Sequence, residues 1–211
     1  MSKPTNRDKI LQEGAKVVHR FGFGGASVRD IIQAAGVPQG SFTNHFHSKE
    51  AFGLELLDLY FLQVHALLQT TLQEDALPPL ARLRGFMAAN LRRMEDGGIE
   101  NGCLLSNFCG ETVAHSERIR LRLLDIFAEL RAALAYCLTA AVQAGELPAT
   151  LECEAMTDFI LAGLQGSTMQ AKVQRDAAPL RRFEHMLFEV MLPRPGARAM
   201  AQAARRERSA A

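Results

Sequence analysis

The stretch from Ser27 to Phe52, SVRDIIQAAGVPQGSFTNHFHSKEAF, decides how this chain is read. Ser27 is followed by Asp30 and then by the apolar pair Ile31 and Ile32. A hydroxyl cap with an acid in the first turn opens a helix, because both satisfy or complement its free amide N–H groups. Gly36 suits a left-handed helix end, and Pro38 suits a first helical turn, where no N–H is needed. A second short helix is expected from about Gln39 to Asn44, with Phe46 anchoring its far end. Two short helices joined by a glycine turn make a helix-turn-helix, whose second helix can enter a DNA major groove. Gln39, Ser41, Thr43, Asn44 and His45 supply polar groups for base edges or phosphates, and Gly40 permits close backbone approach. Phe42 and Phe46, four residues apart, lie on the opposite face and can key the helix into a core. The alternative is a surface helix of some other helical domain.

The same residues carry a more specific pattern. Gly36-Val37, Gly40-Ser41-Phe42, His45-Phe46 and Ser48-Lys49-Glu50 stand in the order and spacing of the TetR family of transcriptional repressors, which this stretch resembles. The resemblance is sharp over roughly the first quarter of the chain. It implies a DNA-binding homodimer whose body binds a small-molecule effector, and it implies that Lys49 reaches the DNA backbone. The residue types and the resemblance together place Ser27, Arg29, Gln39, Gly40, Ser41, Thr43, Asn44, His45 and Lys49 at the DNA. Thr43 stands where the family usually has a Tyr that touches phosphate, so its hydroxyl has shorter reach.

The chain has 211 residues, 48% hydrophobic and 22% charged, within the range of a soluble globular protein. Net charge is only +1, but up to Glu50 seven basic residues face four acidic ones, while acids exceed bases from residue 51 to 192. A basic N-terminal module on an acidic body fits a DNA contact confined to one end. The first twenty residues are polar and basic, unlike a secretory signal, and no apolar run is expected to span a membrane. The four cysteines are therefore read as free thiols in a reducing cytoplasm. Ala, Leu, Glu, Arg and Gln dominate, so the fold class expected is all-α.

The remaining helices follow from apolar periodicity and from breakers. A first helix, capped at Thr5 or Asn6, presents Ile10, Leu11, Ala15, Val18 and Phe21 at helical spacing. It ends in Gly22-Phe23-Gly24-Gly25, a turn that lacks the strand and lysine of a phosphate loop, with Phe23 as a core plug. Further helices are expected from Ser48 to about Gln73, Leu80 to Met94, Cys103 to Ala114, Glu117 to Ala144, Leu151 to Gln174 and Pro179 to Leu192. The division is a helix-turn-helix domain at 1–50, an effector-binding and dimerisation body at 51–192, and an Arg/Ala-rich tail at 193–211. The last two helices carry wide apolar faces, with Ala162, Gly163, Gly166 and Ser167 allowing close approach. They serve as a dimer interface or fill the monomer core.

Within the body, Asn101-Gly102-Cys103-Leu104-Leu105-Ser106-Asn107 stands out. A thiol at a helix N-terminus is favoured as thiolate, and Ser106, Asn107 and Gly110 share its face. The segment resembles the branch of the family typified by NemR and the acrylate-responsive AcuR, in which such a Cys senses small electrophiles. The effector site is accordingly placed at Cys103, Ser106, Asn107, Phe108, Met169 and Lys172, for an electrophile or an unsaturated carboxylate. Against this stand a buried Cys103 acting as a small hydrophobe and a Lys172 that snorkels to solvent. No metal or catalytic role is assigned: Cys103 and Cys109 face apart, as do His45 and His47, and no acid is placed to orient a Cys103–His115 pair. No cofactor is implied. A homodimeric regulator reading palindromic operator DNA is the reading adopted. A thiol-dependent small-molecule enzyme and a protein-binding helical adaptor are the alternatives.

Overall fold

A computed structural model describes residues 4–192, and among these residues it is built of α-helices without a strand. The tail expected at 193–211 lies outside the described residues. Helix α1 (Asn6–Gly25) starts at Thr5, whose hydroxyl accepts from the Asp8 amide while Asp8 accepts from the Thr5 amide. Helix α2 (Val28–Ala35) uses the same reciprocal cap, with Ser27 and Asp30. It stops at Gly36, where φ is +61°, a left-handed geometry that glycine adopts without strain. Helix α3 (Ser41–His45) begins later than expected, because Pro38 to Gly40 form a turn that Ser41 closes by donating to the Pro38 carbonyl.

These three helices pack around an aromatic knot. Phe42, Phe46 and Phe52 lie with ring centroids 5.3 to 5.6 Å apart, and all three are buried. Gly14 of α1 sits directly beneath: a Cβ there would lie 2.7 Å from Phe52 and 2.9 Å from Ile31. Helix α4 (Lys49–Thr70) brings in Phe52 and continues into the body with Leu56, Leu57, Phe61, Val64 and Leu68 buried. By length and composition α4 is apolar enough to cross a membrane, although Glu55 and Asp58 interrupt its apolar run. Those apolar residues instead fill the core shared by head and body.

The body adds α5 (Pro79–Asp96), α6 (Leu104–Thr112), α7 (Glu117–Gln143), α8 (Cys153–Gln174) and α9 (Ala178–Met186). A short tight turn, Ile99–Asn101, leads into α6. The last helix was expected to run unbroken to Leu192. It widens instead into a π-turn over Leu187–Met191, which carries Leu187 and Phe188 into the core. Gly163 of α8 admits the Phe183 ring, since a Cβ there would stand 2.2 Å from it. Outside that contact α8, α9 and the turn after them leave Phe159, Met169, Val173, Met186 and Val190 exposed.

Candidate functional site

On α3 the polar edge and the apolar pegs separate as the sequence implies. Gln39, Gly40, Thr43, Asn44 and His45 are exposed, while Phe42 and Phe46 are buried. Ser41 departs from the expected set. Only 7% of its surface is exposed, so it faces the head's interior rather than the edge. The Thr43 hydroxyl donates to the Gly40 carbonyl at 3.1 Å, spending its hydrogen on its own helix. Ser27 is occupied as the cap of α2, and Arg29 beside it is exposed, with no ion pair among the described residues. Lys49 lies at the glycine turn: its ammonium is 3.5 Å from the Gly24 carbonyl and 4.8 Å from the centre of the Phe23 ring. That partial burial lowers its pKa, which the nearby Glu111 carboxylate partly offsets.

The glycine turn also departs from expectation. Helix α1 continues through it to Gly25, bent at Gly22, where φ is +79°. Any side chain at Gly22 would meet the Glu111 carboxylate within 2.5 Å. Glu111 of α6 accepts from the Gly24 amide at 2.7 Å. Phe23 packs against Phe108 of α6, centroids 4.9 Å apart. Just ahead of the amino-terminal end of α6, His19 of α1 donates through Nε2 to the Gly102 carbonyl at 2.8 Å. The head's first helix is thus fastened to both ends of α6.

Beside the Gly102 fastening lies a cavity of about 400 Å³, bounded by α1, α4, α5, α6, α7 and α8. Its walls are largely apolar, from Leu56, Phe86, Phe127, Leu161 and Leu164 among others, with a few polar groups: His19, Tyr60, Asn90, Arg93, Cys103, Ser106, Gln165 and Thr168. A concave apolar site of ~300–1,000 Å³ with a few converging polar groups is the usual form of a small-molecule site. Cys103, at the N-cap of α6, comes within 3.5 Å of the Tyr60 hydroxyl. Arg93 donates to that hydroxyl at 2.5 Å, and burial pushes the phenol well above its ordinary range, so it remains an O–H. The Ser106 hydroxyl is buried without a partner among the described residues.

Of the six residues assigned to the effector site, the cavity collects Cys103 and Ser106. Phe108 is fully buried in the core behind Phe23 and does not reach the cavity. Met169 is 61% exposed and lines an adjoining open groove with Cys109 and Gly110, which shares Ser106, Phe127, Leu161 and Gln165 with the cavity. Asn107 accepts from Lys172 at 2.9 Å and donates to the Asn101 carbonyl, which turns both side chains toward the Ile99–Asn101 turn. Cys109 lies away from the cavity, and burial together with the neighbouring Cys103 raises its pKa. Cys137 is buried, donates to the Pro79 carbonyl and is pushed up to about 11. Among the described residues no three His, Cys, Asp or Glu side chains gather as a metal site.

His19, Tyr60, Arg93 and Glu111 were not singled out from the sequence. A signal existed for two of them. Phe86, Asn90 and Arg93 recur at the i, i+4, i+7 spacing of one helix face, as do Leu56, Tyr60 and Gln63. Polar groups that share a face with Phe86 or Leu56 mark a wall rather than a surface.

The amino-terminal part, residues 10–56, matches the model for bacterial regulatory proteins of the tetR family, and residues 79–187 match the tetracyclin repressor-like C-terminal domain. The chain belongs to the TetR family. It is similar to the HTH-type transcriptional repressor DhaR of Mycobacterium sp. strain GP1, 34% identical over 92% of this chain and 96% of that protein. It is 30% identical to the transcriptional regulator AcuR of Cereibacter sphaeroides, over 82% of this chain and 80% of that one. The crystal structure of the reduced form of Escherichia coli NemR superposes with a TM-score of 0.81 at 25% identity, covering 91% of this chain and 99% of that one. As a TetR-family member the chain is a DNA-binding transcriptional regulator, all-helical, with the helix-turn-helix at its amino-terminal end.

Proposed function

We propose that the chain acts in the cytoplasm as a homodimeric repressor, without catalytic activity, that a small molecule in the α4–α8 cavity releases from a palindromic operator. The observation that carries this reading is the exposed edge of α3. Asn44 and His45 stand free on a helix locked from behind by three buried phenylalanines, and Gln39 stands free on the turn that leads into it. Gln and Asn can each form two hydrogen bonds with adenine, and a locked helix loses little freedom on binding. Gly40 and Thr43 lie on the same edge, while Ser27, Arg29 and Lys49 flank it toward the phosphates. The exposed apolar residues of α8 and α9 support pairing of two copies, which would set two α3 helices against one palindrome at ~34–36 Å or a multiple of it. Division at residue 50 into a reading head and a body at 51–192 fits these roles.

Release follows from the geometry of α6. A molecule entering beside Cys103 pushes on the helix whose ends hold His19 and the glycine turn of the head. Each tenfold loss of operator affinity needs ~1.4 kcal/mol of difference between the two states, within reach of one bound ligand. Cys103 is the group proposed to meet a reactive molecule, with Ser106 beside it. N-Ethylmaleimide added to folded protein is expected to label Cys103 before Cys137, because burial keeps the Cys137 thiol protonated. A footprint on the DNA upstream of the gene, with and without candidate effectors, tests the whole reading. Protection that no effector alters would leave a DNA binder and remove the switch.

A further inference from the structure

Among the described residues, each arginine lacking a carboxylate partner is exposed, except Arg93, which is half-buried in the cavity wall. Its side chain makes one hydrogen bond to protein, to the Tyr60 hydroxyl at 2.5 Å, and its guanidinium carbon stands 5.0 Å from the centre of the Tyr60 ring. A guanidinium has five N–H donors, so most remain unspent in a largely apolar setting. Lys172 and Arg93 both act on the His19 ring, so positive charge gathers at the Cys103 end of the cavity. The carboxylate on the wall, Asp96, is exposed and makes no ion pair with Arg93, and Glu95 next to it is held by Arg181. A half-buried cation without a counter-ion is costly unless a ligand supplies one.

We propose that the cavity accepts a small organic carboxylate, its charged head on the Arg93 guanidinium and its apolar body against Phe86, Phe127 and Leu161. Planar guanidinium and carboxylate match two hydrogen bonds to two oxygens. Tyr60, already accepting from Arg93, directs its own proton either to Cys103 or to the incoming anion. The unpartnered Ser106 hydroxyl of α6 is a further donor in the cavity wall. This inference rests on reading the cavity as the effector site.

Alkylation of the full-length, reduced protein by two reagents of equal size tests it: iodoacetate, an anion, and iodoacetamide, its neutral counterpart. In either case the thiolate sulfur attacks the methylene carbon, a C–S bond forms, iodide leaves, and the thiol proton passes to solvent. The iodoacetate-to-iodoacetamide rate ratio is read at Cys103 and, as an internal reference, at the half-buried Cys153 by peptide mass spectrometry. A focused positive field raises local anion concentration by ~10-fold or more. The ratio at Cys103 is therefore expected to exceed that at Cys153 by about tenfold. Arg93→Met should bring it down to the Cys153 value, and Arg93→Lys should keep part of it. Tyr60→Phe, which leaves the guanidinium in place, should retain the preference and guards against a misfolded Arg93 variant. Equal ratios at both cysteines would overturn the proposal, and so would a Cys103 that neither reagent reaches. Operator binding is measured on the same samples. Release by both reagents without anion preference overturns the carboxylate alone, whereas modification of Cys103 that leaves operator binding unchanged overturns the effector reading beneath it.

Discussion

The head and the cavity use the same helical material in opposite ways. In the head, the residues that would read DNA bases are exposed and lie within seven positions, 39–45, and the residues that hold them are buried and aromatic. In the cavity, the groups that would touch a ligand are half-buried and come from six helices spread from His19 to Thr168. Function and stability are therefore separable at α3 and entangled around Arg93. A head of this kind can change its operator by changing side chains that hold nothing together. A cavity of this kind changes its ligand only with changes in packing.

The sharpest way to break that contrast is to attack the head's support. Phe52→Ala removes the ring that touches Phe42, Phe46 and the Gly14 backbone, and large aromatic truncations in cores cost about 3–5 kcal/mol. Calorimetry should show a destabilised molecule, and operator binding should vanish. Asn44→Ala, on the exposed edge, should leave the melting temperature unchanged while weakening operator binding by about 1–3 kcal/mol. Should Asn44→Ala unfold the head as Phe52→Ala does, support and reading are not separate.

A smaller effect is expected where the two regions meet. Glu111→Ala removes the acceptor for the Gly24 amide on an exposed side chain, so the stability change should stay within about 1 kcal/mol. Operator affinity without effector should persist, and the fold-change on effector addition should shrink. An undiminished response would exclude this fastening from the switch.

The smallest effect concerns pH. Burial holds His19 below its ordinary value of 6.5, with the nearby Lys172 and Arg93 acting in the same direction and its bond to Gly102 opposing. The unfolded chain therefore binds the proton more readily than the native one. Stability from this group is complete above about pH 6.5 and falls as pH drops toward the lower native value. Thermal melts across that window should show the slope, and His19→Gln should flatten it.

The contrast also explains what could be read in the sequence. The head is local: cap, glycine stop and paired phenylalanines lie within one stretch of 26 residues, so their spacing carries the geometry. Ser41 escaped because a turn at Pro38 to Gly40 rotates the start of α3 and sends that hydroxyl inward. Cys103 was legible from its place before a helix. Arg93 carried only the weak signal of sharing a face with Phe86 and Asn90, because a basic residue in LRRM looks like a solvated face until α4 and α6 close over it. Phe108 and Met169 were misplaced for a related reason. Helical spacing says which residues share a face but not which neighbour that face meets, and here one meets the core and the other solvent.

Operator binding measured over a range of salt concentrations, on DNA from upstream of the gene, bears most directly on the central claim. If the α3 edge docks in the major groove with Arg29 and Lys49 at phosphates, two protected half-sites should appear. The logarithm of the binding constant should then fall linearly and steeply with the logarithm of salt, as phosphate contacts release counterions. Retention on that DNA with an affinity indifferent to salt, or protection of a single unpaired half-site, would contradict it.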